Sequence, residues 1–273
     1  MDIIGRYLHV RGHRLYFDTA GPKAGQPVVL IHTAGQHALQ WRFVIPELAE
    51  SGYLVVAPDL PGHGKSLLAG FEPLVRIHDM AEVVWELIGK LDLGRPAVVG
   101  CSIGGDITLD LLVNHSSKMF AGVVCQAAGR TPTIPDKMIK RGLNESATPS
   151  FSDQAALTAL SACGTKAAPE RIPEIVFTRR AGDPRIYYSD LQAWISHDVT
   201  TRLGQVNCPV LCLWGNEDYF VPFHLVEETV KAIPNCELKI LEGIGHYPHI
   251  ESPSFALIVH EFLSKHKNKG AAK

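Results

Sequence analysis

Apolar residues along the chain fall into two rhythms. Residues 3–10 and 13–20 alternate like two short strands joined at Gly12. Val28-Val29-Leu30-Ile31-His32 and Tyr53-Leu54-Val55-Val56-Ala57 are unbroken apolar, β-branched runs, the pattern of strands covered on both faces. Runs at 97–101, 121–125, 209–214 and 236–241 read the same way. Between them lie helical periods. The clearest is 74–91, where Ile77, Met80, Ala81, Val84, Leu87, Ile88 and Leu91 make one stripe of a 3.6-residue repeat. Further helices are predicted over 39–51, 103–114, 223–232 and 254–266. Buried strands alternating with helices imply a mostly parallel sheet with helices on both faces, an α/β fold.

Residues 130–205 break this rhythm. They hold no comparable strand and read as short helical pieces punctuated by Pro132, Pro135, Pro149, Pro169, Pro173 and Pro184. The predicted organisation is a core of residues 1–129 and 206–273 with a helical cap, 130–205, inserted over the strand ends. That is where an open α/β sheet binds its ligand. The tail from His266 onward is expected to fray.

Composition narrows the function. The 273 residues carry 26 Lys+Arg against 28 Asp+Glu, a net charge of −2, which argues against nucleic acid as a partner. No apolar run reaches the ~18 residues of a membrane span, and the first residues lack the layout of a secretory signal. Most of the six Cys lie in strand-like stretches and read as reduced core thiols of a cytoplasmic protein. Neither a CxxC pair nor a His-Glu-x-x-His helix is present, since position 264 is Ser264. No metal or cofactor is therefore expected. Gly62-His63-Gly64-Lys65-Ser66 is not a phosphate loop, because the required first glycine falls at Asp59, whose carboxylate would repel phosphate.

One constellation carries chemistry. Gly100-Cys101-Ser102-Ile103-Gly104 matches G-x-S-x-G between a predicted strand and a predicted helix. The turn is tight enough to exclude side chains at its flanks, and it thrusts the serine out in a strained backbone. A serine hydroxyl needs a base to become nucleophilic. Among 13 His, His246 lies in a glycine-rich loop after the last strand, and Asp218 follows the strand before it. An imidazole base needs an acceptor on its second nitrogen. Glu217 competes with Asp218 for that place, and His249 with His246. Asp106 should point down the elbow helix, and His37, His78 and His197 read as surface or cap residues.

With Ser102, Asp218 and His246 in this order, the chain resembles the α/β-hydrolase superfamily, in the form with a helical cap, over nearly its whole length. Asp59-Leu60-Pro61-Gly62-His63-Gly64-Lys65-Ser66 is similar to the family's D-x-x-G-x-G-x-S loop. Ile31-His32-Thr33-Ala34-Gly35 resembles its oxyanion loop, and Gly245-His246-Tyr247-Pro248 its histidine loop. The resemblance implies an oxyanion hole from the backbone N–H groups of Ala34 and Ile103, and backbone-orienting roles for His32 and His63. Thr33 departs from the usual glycine; its hydroxyl either assists the oxyanion or only caps the loop.

The reading that follows is a cofactor-free serine hydrolase for a carboxylic ester or lactone of a small to medium apolar molecule. A serine at 102, where haloalkane dehalogenases and epoxide hydrolases use an aspartate, directs the chemistry to acyl carbon. The alternatives are a carbon–carbon bond hydrolase acting on a β-diketone type substrate with the same triad, and a receptor-like ligand-binding member with slow turnover. Ile134, Met138, Phe151, Ile175, Tyr187, Leu191 and Trp194 are among the candidate apolar linings of the cap. Arg130, Arg179, Arg180 and Arg185 offer a partner for a substrate carboxylate. The sequence leaves the oligomeric state open, a homodimer included.

Overall fold

The structure is a computed structural model and describes residues 2–134 and 150–270. One sheet contains β1 (Ile4–Val10), β2 (His13–Ala20), β3 (Gln26–Ile31), β4 (Tyr53–Pro58), β5 (Ala97–Cys101), β6 (Ala121–Cys125), β7 (Val210–Gly215) and β8 (Cys236–Leu241). Their spatial order is β1-β2-β4-β3-β5-β6-β7-β8. β2 pairs antiparallel with β1 and β4; the remaining pairings are parallel. The β1–β2 turn, Arg11-Gly12, has φ of 49° and 82°, the doubly left-handed geometry that follows the twist of a hairpin.

Strand alternation divides the core in two. Val29, Ile31, Val98, Val124 and Cys212 face one side, against α2 (Ile77–Lys90), α3 (Ile103–His115) and α7 (Phe223–Ala232). Val28, Leu30, Val99, Val123, Leu211 and Leu213 face the other, against α1 (Val44–Glu50) and α9 (Phe255–Gly270). Each such side chain contributes roughly 1.5–3 kcal/mol on burial. α3 is buried on every side from Ile103 to Val113, because it lies between the sheet and further helices.

Two predicted elements differ. The helix expected over 39–51 is a 3-10 turn, Ala38–Trp41, followed by α1 from Val44. Pro46 has no N–H to continue a helix from residue 42, but is tolerated in the first turn of a new one. The tail does not fray at His266. α9 continues to Gly270, with Phe262 and Leu263 buried, Lys265 Nζ 2.6 Å from Glu237, and the His266 ring packed on Phe262 at 4.8 Å.

Between β6 and β7 lie α4 (Phe151–Ser161), α5 (Ile172–Arg180) and α6 (Pro184–Ile195). α4 packs on α5, and α6 reaches α3. Ala159, Ala162 and Ile175 share a small apolar cluster with Tyr247 and Ile250, so these helices rest on the loop that follows β8. The segment leaves and returns at one neck. Val199 N–H donates to Gly129 O (2.7 Å) and Thr131 N–H to His197 O (3.2 Å). Met138 lies outside the described residues.

Candidate active site

The elbow after β5 is as tight as its sequence predicts. Ser102 has φ 55° and ψ −124°, a left-handed backbone that costs a non-glycine residue ~1–3 kcal/mol. The glycines around it make that turn possible. A Cβ on Gly100 would lie 1.9 Å from Gly104 O, and one on Gly104 would lie 2.3 Å from Ile31 O. Ser102 N–H donates to Cys125 O at 2.9 Å, and Ser102 O accepts from Asp106 N–H at 3.0 Å. Cys101 packs beneath, with its thiol donating to His246 O (3.4 Å); burial raises its pKa well above the ordinary thiol value.

The loops after β7 and β8 meet at the histidine. His246 Nδ1 lies 3.0 Å from Asp218 Oδ2, and the second oxygen, Oδ1, accepts from Phe220 N–H at 2.8 Å. The ring of Phe220 packs on the imidazole at 4.7 Å. Glu217 turns away and accepts from the Thr165 N–H and hydroxyl, both at 2.6 Å. His249 does not compete either. It is fully buried against Trp41 at 4.3 Å, and neither ring nitrogen has a partner among the described residues.

In the loop Ile31-His32-Thr33-Ala34-Gly35 the hydrogen bonds leave one amide free. Thr33 N–H donates to Gln40 Oε1 (3.0 Å), Gly35 N–H to Asp190 Oδ2 (2.7 Å) and Gln36 N–H to Thr33 O (3.3 Å). Among the described residues, no acceptor takes the N–H of Ala34 or of Ile103. The Thr33 hydroxyl is engaged by the Gln40 amide (3.1 Å), which favours loop capping over a direct role at the oxyanion. His32 fixes the loop: its Nδ1 donates to Thr33 O (2.9 Å), and its Nε2 accepts from Leu60 N–H (3.0 Å). This needs the neutral ring, and burial holds the His32 pKa well below its ordinary value.

His63 is the opposite case. Its Nδ1 faces Pro61 O (3.1 Å) and its Nε2 faces Asp190 Oδ2 (2.8 Å), so both nitrogens donate and the ring is an imidazolium. Burial lowers its pKa, but the Asp190 charge and hydrogen bonds outweigh burial and the net shift is upward. The pair ties α6 to the loop after β4. Asp106 and His197 meet at only 3.9 Å; burial pushes the carboxyl up, and the imidazole down to about 4. Both are buried, so His197 belongs to the inserted segment but not to the surface. His78 pairs with Asp110 at 2.9 Å.

Two residues that sequence reasoning missed hold the loops in place. Gln126, the residue after β6, has φ 48°. Its amide donates to Gly245 O and accepts from Gly215 N–H (3.1 Å), bridging the Asp218 and His246 loops. Glu251, in the short helix α8 (Pro248–Glu251), accepts from the N–H groups of Gly245 (2.7 Å) and Tyr247 (2.7 Å), on either side of His246, and from Gly164 (2.8 Å) in the inserted segment. The available signal was a lone polar side chain at a strand end in one case, and a carboxylate beside the Gly-His-Tyr-Pro loop in the other.

Ser102 and His246 line one cavity of about 80 Å³ with Thr33, Ala34, Ile103, Thr158, Arg179, Tyr187, Leu191, Trp194, Phe220, Val221 and Tyr247. Of the apolar candidates read from the cap sequence, Tyr187, Leu191 and Trp194 face it; Phe151 and Ile175 are buried elsewhere.

A model of the alpha/beta hydrolase fold matches residues 26–253. The chain belongs to the alpha/beta hydrolase family. Among curated relatives of this hydrolase-family chain is a pimeloyl-[acyl-carrier protein] methyl ester esterase of Vibrio atlanticus, 24% identical over 264 residues, covering 92% of this chain and 98% of that protein. A 2-hydroxy-6-oxo-6-phenylhexa-2,4-dienoate hydrolase of Burkholderia cepacia is 25% identical over 271 residues, 92% of this chain and 91% of that one. Among solved structures, an enol-lactonase from Burkholderia xenovorans has a TM-score of 0.85 at 22% identity, covering 95% of this chain and 100% of that chain. That structure shares the fold of this chain.

The histidine loop also gives a pH prediction. Burial lowers the His249 pKa from 6.5 to about 3, with the His246 charge adding to the effect. The unfolded ring takes up a proton that the folded one refuses. Its contribution is therefore present above pH 6.5 and lost as pH falls. By pH 5 this ring alone costs about 2 kcal/mol. His249→Phe is expected to raise the melting temperature more at pH 5 than at pH 7.5. Equal shifts at the two pH values in thermal melts would contradict the assignment.

Proposed function

We propose that the chain is a serine hydrolase that cleaves a carboxylic ester or lactone through Ser102, His246 and Asp218. Ser102 Oγ attacks the carbonyl carbon while the free nitrogen of His246, Nε2, takes its proton. Asp218 accepts from Nδ1 and stabilises the imidazolium. The tetrahedral oxyanion lies between the N–H groups of Ala34 and Ile103, worth roughly 3 kcal/mol per donor. His246 then protonates the leaving alkoxide, and water, deprotonated by the same imidazole, releases the acyl group from Ser102.

The observation that carries this reading is the pair of unclaimed amides beside a strained serine, in one cavity with a histidine that is already held by a carboxylate. The inserted helices act as a cap over the core of residues 1–129 and 206–273. The free thiols of all six Cys fit a reducing, cytoplasmic setting.

Incubation with a fluorophosphonate probe, followed by peptide mapping, tests the mechanism. Label on Ser102 is expected; label elsewhere, or none on folded protein, removes the proposal. A carbon–carbon bond hydrolase is the second reading, since one relative is named a dienoate hydrolase. A panel of esters, lactones and a vinylogous diketone separates the two, with sustained ester or lactone turnover expected.

A further inference from the structure

Arg179, near the end of α5, is an unpaired charge in the cavity. It lines the same space as Ser102 and His246 and is only 4% exposed. Three other arginines of the inserted segment meet acids, and Arg171 lies over the Phe43 ring at 4.5 Å. Arg130 meets Glu228 at 3.0 Å, Arg180 meets Asp153 at 2.6 Å and Arg185 meets Asp183 at 2.8 Å. Arg179 meets no carboxylate among the described residues. One Nη1–H donates to Ala34 O (3.1 Å), the guanidinium lies 3.8 Å over the Tyr187 ring, and the buried Nε has no partner.

Three acids of the elements around the cavity have other partners, although one oxygen each of Asp190 and Glu174 is unpaired among the described residues. Asp190 faces the His63 imidazolium and Gly35 N–H, and Asp218 faces His246. Glu174, on the same helix as Arg179, pairs with Arg42 at 2.9 Å. Five N–H donors with one acceptor and one aromatic face leave the positive charge short of an anion, and burying such a charge without one is costly. A guanidinium pinned by a carbonyl on one side and a ring on its face presents a fixed fork, suited to a carboxylate.

We propose that Arg179 binds a carboxylate of the substrate, so that the esters or lactones cleaved at Ser102 carry a free carboxylate group. This rests on the serine-hydrolase reading above and deepens it. It also predicts that the occupied site couples to the oxyanion loop, because the same guanidinium holds the carbonyl of Ala34.

The test uses pairs in which a terminal carboxylate replaces a methyl group on the same carbon skeleton: monomethyl succinate, glutarate and adipate against methyl butanoate, pentanoate and hexanoate, and 4-acetoxybutanoate against butyl acetate. At least one anion is expected to exceed its neutral partner in kcat/KM by about tenfold or more, mainly through KM. Arg179→Met should lower that ratio to one or below, and Arg179→Lys should restore part of it. The ratio is read on each variant separately, so a general loss from the Ala34 contact does not mimic the effect. Binding of the same pairs to Ser102→Ala protein, followed by tryptophan fluorescence with Trp194 at the cavity wall, reads the preference without turnover. No preference for the anion in either assay, or a preference unchanged in Arg179→Met, overturns the inference. Fluorophosphonate labelling of Ser102 together with turnover of the neutral esters would then leave the hydrolase reading standing. Failure of both would remove that reading instead.

Discussion

Ser102→Ala should lower kcat on any turned-over ester by ~10⁴-fold or more while leaving the fold intact. The size of the loss follows from what the side chain does. In the proposed mechanism, loss of Oγ removes the acyl intermediate and leaves His246 no hydroxyl to deprotonate; the amides of Ala34 and Ile103 would still bind a carbonyl oxygen but have no attack to stabilise. Relief of the left-handed strain at residue 102 is small, since alanine has the same Cβ at the same φ of 55°. Melting temperature should therefore change little. A variant that retains a tenth of the parent rate would show that Ser102 is not the nucleophile.

Glu251→Ala should be the most destabilising single change near the site. Its carboxylate is fully buried and accepts from Gly164, Gly245 and Tyr247. Removing it strands three backbone donors in a dry interior, at about 3–5 kcal/mol, a fall in melting temperature of roughly 10 °C. Glu251→Gln is no remedy, because its NH₂ group would face an N–H. Burial raises the Glu251 pKa, and the three N–H groups oppose that shift. Fluorophosphonate labelling of Ser102 should slow at temperatures where the variant is still folded, because the N–H groups on both sides of His246 lose their anchor. Parent-like stability and labelling would show that the loop is held by other means.

The strands were legible because β-branched runs have few other uses, and the two faces of each run separate cleanly into two clusters. The elbow was legible because its glycines are forced by contact: no side chain fits at Gly100 or Gly104. The preference for Asp218 over Glu217 rested on family pattern, and the side chains turn in the corresponding directions. Gln126, Glu251 and the His63–Asp190 pair were not legible. Each joins loops far apart in sequence through one or two polar atoms, and such a bond leaves no periodic trace. The break before α1 could have been read from Pro46, and the persistence of α9 from the buried Phe262 and Leu263.

The inserted segment departs and returns through hydrogen bonds between Gly129 and Val199 and between Thr131 and His197, while β6 and β7 pair directly beside that exit. A chain that re-enters where it left imposes no strain on the sheet when its interior is exchanged. Grafting this stretch between family members, cut at those bonds, should therefore transplant substrate preference when the graft also supplies the groups that meet His63, Gly35, Ala34 and Glu251.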